Sequence, residues 1–421
     1  MPRHQSTTAW NFKINLRTGT IALRWVIALA ATMVAAPAAQ AQTYTVLANF
    51  SGSNGTNPLY VTLDAAGNLY GTTYYGGKYG DFGPGTVFKL TRRGSGWMLT
   101  TLYNFYGHSD GGNPYSGVIF GPDGSLYGVA VNGGLYGHGV VYKLQPPASS
   151  CKTALCPWAE TVLYNFTGQS DGEGPQGNLV FDRAGNIYGT TLFGQNGNFG
   201  AVYELSPSQG HWNLTVIHTF TNSSDGGGPV DGVIFDQAGN LYGSTGSGGS
   251  HSLGVVYEFT PGASGWTETV LHNFAGGTDG EGGGGLAFDS HGNLYGLTEQ
   301  GGSPGWGTAF ELQAVNGGFS YSLIYTFQPQ QGGAPGVITV PILDSAGNVY
   351  GTGTSGGTGI GIVFELTPSG GSWNFTTLHD FNGPDGLEPG GNLVFDAEGN
   401  LYGCAENGGT GSFGVVWEIT P

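Results

Sequence analysis

Charged residues are scarce in this sequence, and basic residues are the scarcest. Lys and Arg number 11 of 421 residues against 28 Asp and Glu, and charged residues make up 9% of the chain, far below the usual quarter. Four of the 11 precede residue 42, which leaves 7 basic and 28 acidic residues beyond it, a formal charge of −21. A protein that binds nucleic acid or an anionic membrane needs a basic patch. We therefore predict neither partner.

Helical periodicity is also missing. No window combines apolar residues at helical spacing with helix caps, so we expect almost no helix beyond residue 41. The 82 glycines follow no three-residue period, which excludes a collagen helix. Together with 22 Tyr and 23 Phe, this composition is typical of many short strands joined by tight turns.

The first 41 residues have the pattern of a secretion signal. A basic segment ends at Arg24, an apolar run follows, and Ala39-Gln40-Ala41 fits a cleavage site. The apolar run is shorter than the ~20 residues of a membrane span, so we predict cleavage rather than an uncleaved anchor helix. No later segment is apolar enough to span, and we expect no anchoring tail after the last strand. We expect a secreted, periplasmic or extracellular protein whose mature chain, residues 42–421, is one domain.

Only three cysteines are present. Cys151 and Cys156 lie close together in an insertion, and in an oxidising compartment we predict a local disulfide between them. Metal ligation by this pair is the weaker alternative, because no second Cys or His pair lies nearby. Cys404 falls inside a repeat strand, where a small buried apolar side chain is the expected role.

Internal repetition dominates the rest of the sequence. The phrase D-x-x-G-N-[LIV]-Y-G recurs, and a degenerate copy lies near residue 127; the repeat tyrosines are Tyr70, Tyr127, Tyr188, Tyr242, Tyr295, Tyr350 and Tyr402. Each unit holds four runs of strand character, which predicts an all-β, seven-bladed β-propeller of four-stranded antiparallel blades. The mature chain opens with a fourth-strand sequence at Thr43 and closes with a third-strand sequence at Thr420. We therefore expect the N-terminal strand to complete the last blade and close the ring.

Two segments of each unit carry a family resemblance. Asn68-Leu-Tyr-Gly-Thr-Thr73 and Gly85-Thr-Val-Phe-Lys-Leu90 are the clearest example, and Asn186-Ile-Tyr-Gly-Thr-Thr191 repeats the first. The units resemble the Gloeo/Verruco-type tandem repeat (GloVer repeat), a bacterial family of secreted or surface proteins. The resemblance covers essentially all of residues 43–421. It implies a propeller-like fold and no known reaction.

Strand order places two sets of loops on one face of such a ring. The fourth-to-first loops carry Asp-Gly pairs and would join the Gly-Gly loops around the channel mouth; their acidic residues are Asp110, Asp171, Asp225, Asp279 and Asp385, and His108 and His138 lie on the same face. A ring of carboxylates suggests Ca²⁺ or polyol binding. The alternative, which we favour, is that Asp-Gly simply forms a turn. The strand-end Asp64, Asp182, Asp236, Asp289, Asp344 and Asp396 are likewise interpreted as turn formers.

Three further histidines occupy one fourth-strand position. His218, His272 and His379 stand where other units have Tyr. They would lie in the outer strands of three different blades and cannot converge on one metal ion. We interpret them as aromatic packing between blades.

Function is less determined than architecture. The uniform blades favour a non-catalytic, monomeric binding scaffold with a glycan or protein ligand. The first alternative is an extracellular hydrolase or lyase acting on a sugar, lactone or glycan at the channel mouth, where His108, His138, Glu173, Glu281 and Glu388 are the candidates for breaking the repeat symmetry. The second is a structural surface or matrix component. No catalytic residue is predicted, and Ca²⁺ is the only cofactor suggested.

Overall fold

A computed structural model describes residues 42–147, 157–303, 305–329, 339–357 and 359–421. The predicted signal segment 1–41 and the predicted disulfide between Cys151 and Cys156 lie outside these residues. Residues 43–420 form one compact unit. No helix in the described part of the chain is long and apolar enough to cross a membrane.

Seven four-stranded antiparallel sheets form the blades of a β-propeller, as the repeats predict. Blade 1 contains β2 (Thr56–Leu63), β3 (Leu69–Tyr75), β4 (Thr86–Arg93) and β5 (Gly96–Asn104). Blade 2 contains β6 (Ile119–Phe120), β7 (Leu126–Ala130), β8 (Val140–Gln145) and β9 (Ala159–Asn165). Blade 3 contains β10 (Glu173–Phe181), β11 (Ile187–Phe193), β12 (Ala201–Ser208) and β13 (His211–Thr219).

The remaining blades repeat this order. Blade 4 contains β14 (Gly227–Phe235), β15 (Leu241–Ser247), β16 (Val255–Gly262) and β17 (Gly265–Asn273). Blade 5 contains β18 (Glu281–Phe288), β19 (Leu294–Gln300), β20 (Thr308–Val315) and β21 (Gly318–Thr326). Blade 6 contains β22 (Ile342–Leu343), β23 (Val349–Gly353), β24 (Ile362–Ser369) and β25 (Ser372–Asp380). Blade 7 contains β26 (Leu387–Phe395), β27 (Leu401–Asn407) and β28 (Val415–Thr420), with β1 (Thr43–Asn49) as its fourth strand.

The two ends of the chain close the ring. Strand β1 pairs antiparallel with β28, and the register joins Thr43 to Thr420 and Val46 to Trp417. Tyr44 also stacks on His379 of blade 6, with ring centroids 3.5 Å apart. The predicted closure is therefore confirmed, and the outer edge of β28 is covered.

A hydrogen-bonded turn joins the first and second strands of each blade. In blade 4, one carboxylate oxygen of Asp236 accepts from the amides of Ala238 and Asn240, each at 2.8 Å. The other oxygen accepts from the Asn240 side chain at 2.8 Å. The same amide pattern recurs at the other strand-end acids, Asp64, Asp182, Asp289, Asp344 and Asp396. Their predicted role as turn formers is confirmed, and it explains the repeated Asn, which holds the Asp in place.

The glycine after each repeat tyrosine is required by packing. The third-strand aromatic ring lies directly over it, and a Cβ on the glycine would collide with that ring; the pairs are Gly71 and Phe88, Gly128 and Tyr142, Gly189 and Tyr203, Gly243 and Tyr257, Gly296 and Phe310, Gly351 and Phe364, and Gly403 and Trp417. None of these seven glycines has a positive φ. Close approach, and not backbone conformation, therefore explains the Tyr-Gly pair.

Hydrophobic cores lie between the blades. One cluster joins Leu69, Phe88 and Leu90 of blade 1 to Tyr402 and Cys404 of blade 7, and six similar clusters join the other neighbouring pairs. Cys404 is buried and free, as expected for a small apolar side chain. Because each core needs two blades, no blade can bury its apolar faces alone.

Two blades depart from the expected regularity. The first strands of blades 2 and 6, β6 and β22, have only two residues each. In blade 2, the backbone just before β6 forms hydrogen bonds with side chains of blades 1 and 3 instead. The carbonyl of Ser116 accepts from the Thr72 hydroxyl, and the amide of Gly117 donates to the Asn178 side chain. This segment is thereby bonded to both neighbouring blades without extending the sheet.

The close contact of ring and glycine predicts a stability effect. We expect Gly243→Ala to lower the free energy of unfolding by roughly 1–3 kcal/mol, because the added methyl group would displace the buried Tyr257 ring. Chemical denaturation of the mature protein measures this change.

Gly96→Ala is the matched control. Gly96 has open space around its Cβ position, so its replacement is expected to change stability by less than about 0.5 kcal/mol. Equal stability of the two variants would contradict the packing account.

Candidate functional site

Two sets of loops share one face of the ring, called here the mouth face. In five blades the second-to-third loop donates a backbone hydrogen bond to the fourth-to-first loop that precedes the blade; the pairs are Gly77 to Gly52, Gly134 to His108, Gln195 to Gly168, Gly249 to Ser223 and Gly409 to Gly383. The Asp-Gly and Gly-Gly loops therefore meet as the strand order predicts.

The five acids of the Asp-Gly loops are bonded within their own loops. Asp110 accepts from the Tyr103 hydroxyl at 2.9 Å and from the Tyr106 amide at 2.8 Å. Asp171 has the same two kinds of partner and is only 4% exposed. Equivalent contacts hold Asp225, Asp279 and Asp385. These bonds account for the acids as turn formers, and a ligand role for them stays a prediction.

The histidine trio takes part in the same motif. His218, His272 and His379 each bond the loop Asp of their own unit, at 3.2, 3.1 and 2.9 Å. His272 also stacks on Tyr321 of the next blade, with centroids 3.8 Å apart. The interpretation as inter-blade packing is confirmed. Among the residues described, no group of three or more His, Cys, Asp or Glu is arranged to hold a metal ion.

A buried tyrosine of blade 1 reaches an aspartate of blade 4 on the other side of the ring. We call this pair, Tyr60 and Asp231, the plug. Tyr60 of blade 1 is fully buried, and its hydroxyl donates to the Asp231 carboxylate of blade 4 at 3.5 Å. Asp231 has a left-handed backbone (φ 59°) and also accepts from the Asn178 amide. Burial raises the pKa of Asp231 to about 6. The first strands are thus tied together across the axis.

A pocket of about 700 Å³ opens on the mouth face beside this plug. Its aromatic walls are Tyr74, Tyr75, Tyr115 and Phe193, and its polar side chains are Asn57, Asn132, His138, Glu173, Gln176 and Glu406. These residues come from blades 1, 2, 3 and 7 only. The pocket is therefore one-sided, although the ring that carries it is built from repeats.

Polar side chains connect neighbouring blades around the pocket. His138 of blade 2 pairs with Glu173 of blade 3, with Nδ1 and Oε2 2.5 Å apart. Asn57 of blade 1 donates to Asn407 of blade 7 at 3.3 Å, and Asn407 donates to Glu388 at 2.6 Å. Asn57 and Glu388 both have left-handed backbones, with φ of 55° and 56°. The same left-handed conformation recurs at the equivalent first-strand positions, Asn113, Gly174, Gly228 and Gly282, so it belongs to the repeat.

Glu406 is a largely buried acid of the pocket with a raised pKa. Burial, and then the neighbouring Glu388 carboxylate, raise the pKa of Glu406 to about 7. Burial, and then the charge of Glu406, raise the pKa of Tyr115 to about 12. Glu406 can therefore lose or accept a proton near neutral pH within the same pocket as the His138–Glu173 pair.

The structure brings together only some of the predicted residues. His138 and Glu173 line the pocket, and Glu388 bonds Asn407, which in turn bonds the lining residue Asn57. His108 is exposed outside the lining, and Glu281 lies in blade 5. Glu406 and Gln176 were missed. A signal existed in the residue four positions after each repeat tyrosine, which varies between blades and is Glu in two of them: Tyr74, Val131, Leu192, Gly246, Glu299, Thr354 and Glu406.

Fold and site together define a seven-bladed β-propeller with an asymmetric pocket at one mouth. The Gloeobacter/Verrucomicrobia repeat matches the chain three times, over residues 32–161, 157–283 and 263–421. The chain belongs to this repeat family. No curated protein matches it.

Solved structures share the fold at low identity. A catalytically inactive variant of virginiamycin B lyase from Staphylococcus aureus, with quinupristin, is 13% identical with a TM-score of 0.57, over 90% of this chain and 99% of that chain. The extracellular domain of a protein assigned to the hybrid two component systems of B. thetaiotaomicron is 15% identical with a TM-score of 0.53, over 90% of this chain and 41% of that one. Likeness at this level shows the fold alone.

The raised pKa of Glu406 predicts a pH-dependent stability. The ordinary Glu pKa is 4.5 and that of folded Glu406 is about 7, so its contribution to stability is full below 4.5 and is lost as the pH rises through 7. We expect Glu406→Gln to stabilise the protein at pH 8 by about 1–3 kcal/mol relative to its effect at pH 4.5.

Denaturation at the two pH values measures this difference. Glu398→Gln, in an exposed turn of the same blade, is the control and should show no such change. A Glu406→Gln effect that is the same at both pH values would refute the assignment.

Proposed function

We propose that this protein is an extracellular binding module whose mouth pocket holds a neutral, hydroxyl-rich ligand such as the end of a glycan. The observation that carries the proposal is the one-sided pocket, which combines aromatic walls with amide and carboxylate side chains. A site with few convergent polar groups among apolar walls is the usual form of a small-molecule pocket.

The lining indicates the ligand's chemistry. Asn57, Asn132 and Gln176 offer both donors and acceptors, while Glu173 and Glu406 offer acceptors. Hydroxyl groups satisfy both kinds of partner, and the faces of Tyr75 and Phe193 suit the C–H surface of a sugar ring. An anionic ligand would meet the carboxyl groups of Glu173 and Glu406 in a protein whose net charge is negative. The pocket contains no Lys or Arg to offset this repulsion.

An extracellular location suits this ligand class. It is supported by the basic and apolar segment that ends at the Ala39-Gln40-Ala41 pattern and by membership of the repeat family. The low charge and the scarcity of Lys and Arg in the sequence also favour a ligand met outside the cell over nucleic acid.

Catalysis at the same pocket is the second candidate. It is favoured by the close contact of His138 with Glu173 and by Glu406, whose pKa of about 7 suits a general acid or base. Two titratable groups of different character in one pocket are the arrangement that acid–base enzymes use.

An array of neutral and anionic glycans, probed with the mature protein, tests the proposal. We expect binding to neutral glycans, and Gln176→Ala should weaken it about tenfold because one pocket hydrogen-bonding side chain is lost. Gln237→Ala is the control, since Gln237 lies exposed in a turn of blade 4 and its replacement should change nothing.

The same glycans decide between the two candidates. Mass spectrometry of bound glycans after incubation should show them unchanged if the protein only binds. New products that disappear in Glu406→Gln would establish the catalytic candidate. Binding confined to anionic glycans would contradict the proposed site. So would equal binding by the Gln176→Ala and Gln237→Ala variants.

A further inference from the structure

Exposed aromatic side chains are confined to one part of the mouth face. Among the residues described, every exposed Tyr, Phe or Trp lies in the mouth-face loops or adjoining strand ends of blades 1–3. They are Tyr75, Tyr79, Phe82, Tyr106, Tyr136, Phe193 and Phe199, named here the aromatic arc. Phe82 is 89% exposed and Tyr136 is 55% exposed. Large exposed apolar groups gathered in one region mark an interaction surface.

The arc is continuous with the pocket. Ring contacts lead from Phe82 to Tyr75 at 6.4 Å, from Tyr75 to Tyr74 at 4.4 Å, and from Tyr74 to Tyr115 at 5.3 Å between centroids. Tyr74, Tyr75 and Tyr115 are pocket walls. A line of aromatic rings therefore runs from the outer loop of blade 1 to the interior of the pocket.

The equivalent loops of the other blades turn their apolar side chains inward. Leu253, Trp306, Ile360 and Phe413 are partly buried against the inter-blade cores. The Phe82 and Tyr136 side chains have no such role in a core cluster, since they lie largely in solvent. The arc is thus an addition to the repeat pattern and is not needed to build the ring.

The arc carries almost no net charge. The second-to-third loops of blades 1–3 contain one Lys and one Asp, Lys78 and Asp81, together with His138. Gly and Asn separate the rings, as in Phe193-Gly-Gln-Asn-Gly-Asn-Phe199. A protein partner would be expected to meet a contiguous apolar centre enriched in Met and Arg as well as aromatics. Uncharged rings set among Gly and Asn instead suit a neutral ligand that presents apolar faces and hydroxyl groups.

We infer that the aromatic arc is an extended binding surface for a neutral polysaccharide, with the mouth pocket holding one end of the chain and the rings stacking on successive units. This inference rests on the proposed function of the pocket. Each pyranose presents a C–H face that loses water on an aromatic ring while its rim hydroxyls stay solvated. Affinity should therefore grow with the number of sugar units that reach the arc.

Calorimetry with neutral sugars of increasing length tests the arc. The probes are cello-, malto- and manno-oligosaccharides of one to six units, titrated into the full mature chain. We expect the dissociation constant of the best series to fall at least tenfold between the disaccharide and the hexasaccharide. The double variant Phe82→Ala, Tyr136→Ala should weaken hexasaccharide binding about tenfold and leave disaccharide binding unchanged.

The control removes exposed apolar side chains elsewhere. Met98 and Leu323 lie on the outer strands β5 and β21 and are 43% and 40% exposed, so the double variant Met98→Ala, Leu323→Ala should bind every length as the parent does. Circular dichroism of all variants checks that the fold is kept.

The outcomes separate this inference from the proposed function. Disaccharide binding without a gain in affinity with length, or without an effect of the Phe82→Ala, Tyr136→Ala pair, would overturn the arc and leave the pocket standing. No binding of any neutral sugar would overturn both. Concentration-dependent dimers of the parent that disappear in the double variant would identify the arc as a protein contact and overturn the inference.

Discussion

Close packing of an aromatic ring over a glycine is the contact on which the rest of the structure depends. In every blade the third-strand ring occupies the space where the second-strand residue would carry a Cβ, and these rings belong to the cores between the blades. Each core joins two blades, so the ring must close before its interior is fully buried. The pairing of β1 with β28 supplies that closure.

The packing of ring over glycine fixes the blades, while the sequence can vary at the mouth end of the second strands. The hairpin turns are held by the Asp and Asn side chains of the repeat, and the loop acids by their own strands. The sequence varies where the second strands reach the mouth: Tyr74, Gly246 and Glu406 occupy the same repeat position in three blades. Side chains at the mouth can therefore vary without changing the contacts that build the ring.

Much of the fold could be predicted from the sequence, because repetition and strand order decide it. The Tyr-Gly phrase predicted seven blades, Thr43 and Thr420 predicted the closure, and the strand-end acids predicted the turns. The pocket could not be found in the same way. Its residues are more than 300 positions apart, from Asn57 to Glu406, and their convergence depends on the ring geometry and on the plug formed by Tyr60 and Asp231. The short length of β6 could not be predicted from the sequence either, because side chains of neighbouring blades replace the hydrogen bonds that would extend this strand.

We propose that the ligand binds at one side of the mouth face, over blades 1–3 and 7. Backbone hydrogen exchange of the mature protein, with and without the tightest-binding neutral hexasaccharide, tests it most directly. The account predicts slower exchange in residues 74–82, 131–139 and 192–199, with no change in the equivalent loops 246–254 and 299–303. Protection in the loops of blades 4–6, or on the face of the hairpin turns, would contradict it.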